Sequence, residues 1–127
     1  MTVTVGVEQR FAIAGVAERA GVTAHTLRYY ERAGLLAVGR DASGYRAYSE
    51  DDCARVVFLT RMRSTGMPIR DLQRYVALVE AGPATVPERL AMMRDHRKRV
   101  QARIDDLGVA LDVIDFKIAT YGGDCGA

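Results

Sequence analysis

A heptad pattern of apolar residues runs through the last third of the chain and constrains its fold more than any other feature. Between Val86 and Tyr121, apolar or aromatic residues recur at alternating spacings of four and three, interrupted once by Arg97. The pattern predicts one helix about 50 Å long at about 1.5 Å per residue, which either folds back on its own chain or pairs with a second copy. The regular heptad favours a homodimer. The predicted seam consists of Leu90, Met93, Arg97, Val100, Ile104, Leu107, Leu111, Ile114 and Ile118.

The segment 11–36 has the pattern of two short helices joined by a tight turn. Apolar residues recur at helical spacing through 13–20, and Gly21 follows as a residue that tolerates a left-handed helix end. Thr23 can then cap a second helix, which ends near Gly34. Two helices connected in this way predict a helix-turn-helix with a recognition helix.

The second of these helices presents one face suited to a phosphate-lined groove. Leu27 and Tyr30 point toward the first helix and are predicted to be core residues, whereas the opposite stripe combines small, cationic and phenolic groups. That stripe consists of Ala24, His25, Arg28, Tyr29 and Arg32. Residues 10–48 hold six arginines against three acidic residues, a local charge of +3, although the whole chain carries only +2. We therefore expect this region to bind nucleic acid.

A predicted hairpin and a third helix follow. The triplet Ala42-Ser43-Gly44 interrupts two short strand-like stretches, which is typical of a hairpin or wing. Ser49 and Asp52 have the spacing of a capping box, with Asp in place of the usual Glu or Gln. This box predicts the start of a helix that runs to about Thr65.

Two more helix starts complete the predicted organisation. Pro68 begins a fourth helix that ends at Gly82-Pro83, and Thr85 with Glu88 forms a second capping box before the long helix. The fold class is therefore mostly α, with a winged helix-turn-helix followed by a long dimerisation helix. The predicted parts are an N-terminal tail 1–9, the winged helix-turn-helix domain 10–82, the coiled-coil helix 83–121 and a flexible tail 122–127.

Composition excludes several classes of protein. The 127 residues are 49% apolar, yet no apolar run is long enough to span a membrane and the N-terminus lacks a signal-peptide pattern, so we expect a cytoplasmic protein with no membrane partner. Two cysteines, Cys53 and Cys125, are too few for a disulfide framework. Enzyme activity is not expected, because His25 and His96 lie far apart in the sequence and no phosphate loop or nucleophile paired with a base is present. No cofactor and no metal site are predicted.

The order of recognition helix, wing and terminal coiled coil resembles the MerR family of bacterial transcriptional regulators. The matching motifs are LRYYE at 27–31, GLL at 34–36, GYRAY at 44–48 and GMPI at 66–69. The resemblance implies a homodimer held by antiparallel terminal helices, with each recognition helix in a major groove of an inverted repeat. It also implies that the dimer activates a promoter by bending and untwisting the DNA, so that RNA polymerase engages both promoter elements.

The resemblance also assigns DNA contacts to particular positions. By position, Arg28 is a phosphate contact. Arg19 and Arg40 are further candidate DNA-binding residues, and the alternative for both is a contribution to the general positive potential. The wing contacts are Tyr45, Arg46 and Tyr48. The residues nearest base edges or sugars are Thr23, Ala24, His25 and Tyr29. Alternatives stay open, since His25 fits a solvated surface position and the two wing tyrosines fit a role in packing the wing onto the first helix.

Cys53 is the candidate sensor residue. It lies in the first turns of the third helix, a placement that resembles the branch of the family in which one cysteine there responds to aldehydes, nitrosative stress and other electrophiles. The helix N-terminus lowers the thiol pKa, whereas the acidic residues 50–52 raise it, so a cationic neighbour such as Arg55 or an arginine of the partner protomer is needed to favour the thiolate. The alternative is an inert core thiol, because Cys53 shares a helix face with Val56 and Val57.

Two further functions remain open at the level of sequence. A metal-responsive regulator of the same family would bridge a soft metal between Cys53 of one subunit and Cys125 of the other, with His96 as a further ligand. The second alternative is a winged-helix accessory or adaptor protein that binds DNA without activating a promoter.

Overall fold

The computed structural model describes residues 11–123, which are predominantly helical. Its α-helices are α1 Ile13–Ala20, α2 Ala24–Arg32, α3 Glu50–Ser64, α4 Ile69–Glu80 and α5 Val86–Thr120. Two short strands, β1 Gly39–Arg40 and β2 Arg46–Ala47, lie between α2 and α3, and a 3₁₀ turn, Pro83–Thr85, precedes α5. The chain forms two compact units, one ending at Gly82 and the other beginning at Pro83. The mostly helical fold with a long terminal helix is confirmed.

The first two helices form the predicted helix-turn-helix. Gly21 ends α1 in the left-handed region, with a φ of 69°, and the backbone N–H of Val22 donates to the carbonyl of Ala17 over 3.0 Å. The hydroxyl of Thr23 then accepts from the backbone N–H of Thr26 over 3.1 Å and caps α2. Both ends of the turn are thus fixed by local hydrogen bonds.

The core of the first unit lies between the helices and holds α2 in place. The largest fully buried side chains are Val16, Leu27, Leu35, Tyr48, Val56, Leu59 and Leu72. Burial of an aliphatic side chain of this size contributes roughly 1.5–3 kcal/mol. Tyr30 is also buried, as predicted, and its hydroxyl lies 3.4 Å from the hydroxyl of Thr60 on α3. Because α2 packs through its inner face, its outer face remains exposed.

The predicted wing is a two-stranded antiparallel hairpin. Gly39 pairs with Ala47 and Arg40 with Arg46. At its tip, Asp41 Oδ1 accepts backbone hydrogen bonds from Ser43 over 2.8 Å and from Tyr45 over 3.0 Å. Gly44 adopts a φ of 83°, which a side chain would disfavour. The tip is therefore shaped by an Asx turn and one glycine.

A further backbone pairing, which the sequence did not predict, anchors the wing. Phe11, just before α1, and Tyr48, just after β2, exchange two backbone hydrogen bonds of 2.8 Å each. The base of the hairpin is thereby joined to the entrance of the helix-turn-helix.

One of the two predicted capping boxes forms and the other does not. The Ser49 hydroxyl accepts from the backbone N–H of Asp52 over 3.0 Å, and the Asp52 carboxylate accepts from the backbone N–H of Ser49 over 2.9 Å. Thr85 makes no side-chain capping bond to α5, and its hydroxyl instead accepts from Arg89 Nε over 3.0 Å. The prediction at Thr85 and Glu88 was therefore wrong.

Candidate nucleic-acid interface

The outer face of α2 exposes the cationic and phenolic side chains that the sequence predicted there. His25, Arg28 and Arg32 are exposed, and Tyr29 is 40% exposed. Ala24, at the start of the helix, is half-buried, and its small side chain leaves room for a close approach. Guanidinium, imidazole and phenol groups on one helix face are suited to contact phosphates, sugars and base edges.

The wing adds a second set of exposed groups. Tyr45 stands near the hairpin tip with 72% of its surface exposed, and Arg40 is exposed on β1. The guanidinium Nη1 of Arg40 lies 3.4 Å from the carbonyl of Gly44, a contact that leaves its other donors available. Arg40 and Tyr45 are therefore both accessible from solvent on the wing.

Tyr48 is not on this surface. Its side chain is fully buried, and burial together with the nearby Glu31 carboxylate raises the pKa of its phenol. A side chain without solvent exposure cannot reach a phosphate, so the assignment of Tyr48 as a DNA contact is corrected. The alternative role, in which Tyr48 packs the wing onto the rest of the unit, fits its position.

Arg46 lies on the wing but is engaged by the recognition helix. Its Nε donates to the Glu31 Oε2 of α2 over 2.7 Å, and both side chains are only about a quarter exposed. This hydrogen bond is the largest cause of the raised pKa of the Arg46 guanidinium. The predicted wing contact thus forms a bridge between β2 and α2.

Arg19 is also held by neighbours that the sequence did not indicate. Its guanidinium carbon lies 4.4 Å from the centroid of the Phe11 ring, a cation–π arrangement. One of its nitrogens is 3.7 Å from the carboxylate of Glu50, at the start of α3. Arg19 therefore lies between the wing anchor at Phe11 and the start of α3.

Cys53 borders a cavity of about 270 Å³ that opens to solvent. The cavity is lined by Val16, Arg19, Ala20, Glu50, Cys53, Ala54 and Val57. Cys53 itself is 6% exposed and is a free thiol. A small molecule in this cavity would lie against the thiol, which makes the pocket the candidate sensor site.

Glu50 and Asp52 affect the pKa of Cys53 as predicted, but the neighbouring cation differs from the predicted one. Burial raises the pKa of the Cys53 thiol above its ordinary value; Arg19 lowers it, while Glu50 and Asp52 raise it. Arg55, which the sequence suggested as the activating cation, instead pairs with Glu80 over 2.9 Å. On balance these surroundings raise the pKa of the Cys53 thiol and disfavour its thiolate.

The second unit exposes a long apolar face on α5. Of the predicted seam residues, Ile104, Leu107, Leu111 and Ile114 are between 52% and 60% exposed. Sequence reasoning missed a second stripe, Val109, Val113 and Phe116, which lies on the opposite side of the same helix and is 57% to 69% exposed. The signal was visible in the sequence as a repeated spacing of four and three, displaced by two residues from the seam.

The remaining predictions concern metal and membrane. Within residues 11–123, no group of three or more His, Cys, Asp or Glu side chains is arranged to hold a metal ion, and Cys125 lies outside the described residues. The predicted tails, apart from residues 122 and 123, also lie outside them. In the same part of the chain, no helix is both long and apolar enough to cross a bilayer.

Comparisons with known protein families place these features in context. The family model for the MerR HTH family regulatory protein matches residues 11–78, and the model for MerR, DNA binding, matches residues 53–115. Together these matches extend from Phe11, two residues before α1, to the last turns of α5.

Individual relatives agree with the family matches. An uncharacterised HTH-type transcriptional regulator of Haemophilus influenzae is 35% identical over 112 residues, covering 87% of this chain and 83% of its own. The HTH-type transcriptional regulator AdhR of Bacillus subtilis is 44% identical over 89 residues, covering 69% of this chain and 64% of its own. These relatives are transcriptional regulators and not enzymes.

Solved structures give the same result. The crystal structure of HiNmlR, described as a MerR family regulator lacking the sensor domain and bound to promoter DNA, superposes with a TM-score of 0.81 at 34% identity. The superposition covers 89% of this chain and 90% of that one. A MerR-type regulator from Listeria monocytogenes gives the same TM-score at 38% identity, over 87% of this chain and 85% of its own.

Proposed function

We propose, from the premise that this chain belongs to the MerR family of helix-turn-helix transcriptional regulators, that two copies bind an inverted repeat in promoter DNA. The observation that carries the proposal is the exposure of His25, Arg28 and Tyr29 on α2 and of Arg40 and Tyr45 on the wing. The promoter-bound HiNmlR structure, similar over nearly the whole chain, supports the same role.

The contacts divide by chemistry. Arg28 and Arg40 bind phosphates through their guanidinium groups, and the Tyr45 hydroxyl donates to the backbone beside the wing. Thr23, Ala24 and His25 lie at the start of α2 and Tyr29 lies one turn further along. All four approach base edges or sugars. Arg19 adds positive potential without a direct contact, because Phe11 and Glu50 already hold it.

Dimerisation follows from the seam of α5. Four neighbouring seam residues expose more than half of their surface, and an antiparallel partner helix would cover them. Pairing would place two recognition helices at a fixed separation and so select an inverted repeat. We further propose that the bound dimer bends and untwists the promoter, and that RNA polymerase then engages both promoter elements.

The DNA-binding proposal is tested by selecting duplexes from a random pool with the full chain and measuring affinity for the enriched sequence. We expect an inverted repeat bound by two protomers, and a loss of about tenfold for Arg28→Gln, equivalent to one charge-assisted contact. Arg94→Gln on α5 removes the same charge far from α2 in sequence and should bind normally. Enrichment of no sequence, or equal losses for both variants, would contradict the proposal.

Run-off transcription from a promoter carrying the repeat then tests activation.

We also propose that Cys53 is the site of covalent modification by a small electrophile. In this step the thiolate sulfur adds to an aldehyde carbonyl carbon, the C–O π bond breaks, and the thiol proton ends on the new hydroxyl oxygen of a hemithioacetal. The solvent-open cavity supports the proposal, since a two- or three-carbon aldehyde fits a volume of about 270 Å³. Arg19, which lines the cavity, opposes the effect of burial on the thiol pKa.

Formaldehyde and methylglyoxal titrations test this second proposal. Intact mass counts the adducts, comparison with Cys53→Ala assigns them to Cys53, and run-off transcription measures the output. We expect one adduct on Cys53 that changes transcription, and Cys53→Ala should bind DNA normally but give no response. If Cys53 stays unmodified while transcription responds, the thiol is a packing residue and the inducer acts elsewhere.

A further inference from the structure

The salt bridge between Glu31 and Arg46 connects two elements that the proposed function places on DNA. Glu31 is the one acidic residue of α2, and Arg46 belongs to β2 of the wing. Arg46 Nε and Glu31 Oε2 are 2.7 Å apart, and the exposed fractions of the two side chains are 28% and 23%. A partly shielded bond of this length holds its partners more firmly than a pair in open solvent.

The wing needs such a connection. Its two strands contain two residue pairs, and a hairpin of that size has little stability of its own. The backbone bonds between Phe11 and Tyr48 anchor its base to the start of α1. Of the side-chain hydrogen bonds described above, the one that joins the wing to α2 is that of Arg46 with Glu31.

We infer that Arg46 is a positioning residue, which acts through Glu31 to fix the wing against the recognition helix and is not itself a phosphate contact. The inference rests on the proposed DNA-binding function. The bond also matters for the Glu31 carboxylate, because an unpaired acidic group on a DNA-facing helix would repel phosphates. Arg46 neutralises it, and the exposed arginines of α2 and the wing remain for DNA.

A positioning role and a phosphate-contact role for Arg46 predict different salt dependences of DNA affinity in an Arg46 variant. An arginine that neutralises a phosphate releases a counterion, so its loss lowers the slope of log affinity against log salt by about one. Loss of a positioning residue weakens binding without that change in slope. The signs also differ at Glu31, because simple electrostatics predicts tighter binding for Glu31→Gln and positioning predicts weaker binding.

The experiment uses the full chain and the duplex that the wild-type protein enriches from a random pool. Arg46→Gln and Glu31→Gln should each weaken binding by about tenfold, the equivalent of one charge-assisted hydrogen bond, with the wild-type salt slope. The double variant should lose no more than either single variant, since both remove the same bond. Arg40→Gln, the cross-strand neighbour, should lower the slope by about one and serves as the control.

A lower slope for Arg46→Gln, or tighter binding by Glu31→Gln, would overturn the inference while leaving DNA binding intact. Failure of the wild-type chain to enrich any duplex would instead overturn the proposed function. If Arg46→Gln does not fold, Glu31→Gln alone decides between the two roles, because it leaves Arg46 in place and the two roles predict opposite changes in affinity.

Discussion

At the scale of single residues, two tyrosines of the wing should respond in opposite ways to the same change. Tyr45 is 72% exposed, whereas Tyr48 is fully buried, and its hydroxyl has no hydrogen-bond partner within the described residues. Tyr45→Phe should weaken DNA binding by roughly fivefold through loss of a phosphate hydrogen bond. Tyr48→Phe should leave affinity unchanged and alter the free energy of unfolding by less than about 1 kcal/mol. Fluorescence anisotropy and urea unfolding measure the two quantities, and weaker DNA binding by Tyr48→Phe would argue against its assignment to the core.

The reactivity of Cys53 should depend on pH in the direction set by its surroundings. Because its pKa is raised, mainly by burial, the thiolate fraction keeps increasing above about pH 8.5, where an ordinary thiol is already half ionised. The rate of iodoacetamide alkylation of Cys53 is obtained by intact mass as the difference between the wild-type chain and Cys53→Ala. It should therefore continue to rise where the rate for a free cysteine levels off. If the rate for Cys53 levels off at a lower pH than the rate for a free cysteine, the pKa of Cys53 is depressed and the prediction is wrong.

Arg19 provides the matched test of the same environment. Since its charge lowers the pKa of Cys53, Arg19→Gln should slow alkylation at a fixed pH near 8. Arg61→Gln removes an equal charge from the far end of α3 and should leave the rate unchanged, because Arg61 is not among the groups that shift this pKa. Circular dichroism of both variants separates a change in reactivity from a loss of fold.

At the scale of elements, Ser49 and Thr85 occupy the same position in two similar capping-box sequences but differ in backbone geometry. Ser49 has the extended backbone of a helix cap, with φ −81° and ψ 172°, whereas Thr85 ends a 3₁₀ turn with φ −91° and ψ 1°. Ser49→Ala should lower the free energy of unfolding by about 1 kcal/mol. Thr85→Ala should cost less than about 0.5 kcal/mol, as is usual for a surface change. Urea midpoints at one fixed protein concentration give both values, and equal losses would contradict the structural distinction.

Elements of this chain that depend on local interactions could be predicted from the sequence, whereas contacts between elements could not. Helices and turns were predictable where the cause is local, as with Gly21, Thr23 and the inner and outer faces of α2. The pairing of Phe11 with Tyr48 and the bridge from Arg46 to Glu31 join positions 37 and 15 residues apart. Such contacts depend on how elements pack, and nothing in the local spacing indicates them. The same holds for Arg19, whose effect on Cys53 arises from the packing of α1 against α3.

Another contact of this kind supports the recognition helix at its C-terminal end. Gln73 Nε2 of α4 donates to the carbonyl of Ala33, the C-cap of α2, over 2.9 Å. The terminal carbonyls of a helix lack partners within the helix, so this bond satisfies one of them from a neighbouring element. The recognition helix is therefore held by α4 at one point and by the wing at another, which ties its orientation to the rest of the unit.

At the scale of the whole molecule, assembly depends on which side of α5 is covered. Leu107 and Val109 are 60% and 63% exposed, but they are two positions apart and lie on opposite sides of the helix. A partner helix that covers the seam buries Leu107 and leaves Val109 outside the contact. Leu107→Asp should therefore place a charge in the interface and give monomers, whereas Val109→Asp, the same chemical change at similar exposure, should remain dimeric.

Loss of the dimer should also weaken DNA binding, because dimerisation is what joins the two recognition helices in one molecule. A monomer engages one half-site, so Leu107→Asp should lose on the order of 100-fold or more in affinity for the inverted repeat, while binding of a single half-site changes little. Sedimentation equilibrium gives the oligomeric state and anisotropy gives the affinities. Monomers from Val109→Asp with dimers from Leu107→Asp would assign the interface to the second stripe. A dimer that persists in both variants would require contacts outside either stripe, and the predicted coiled coil would then be wrong.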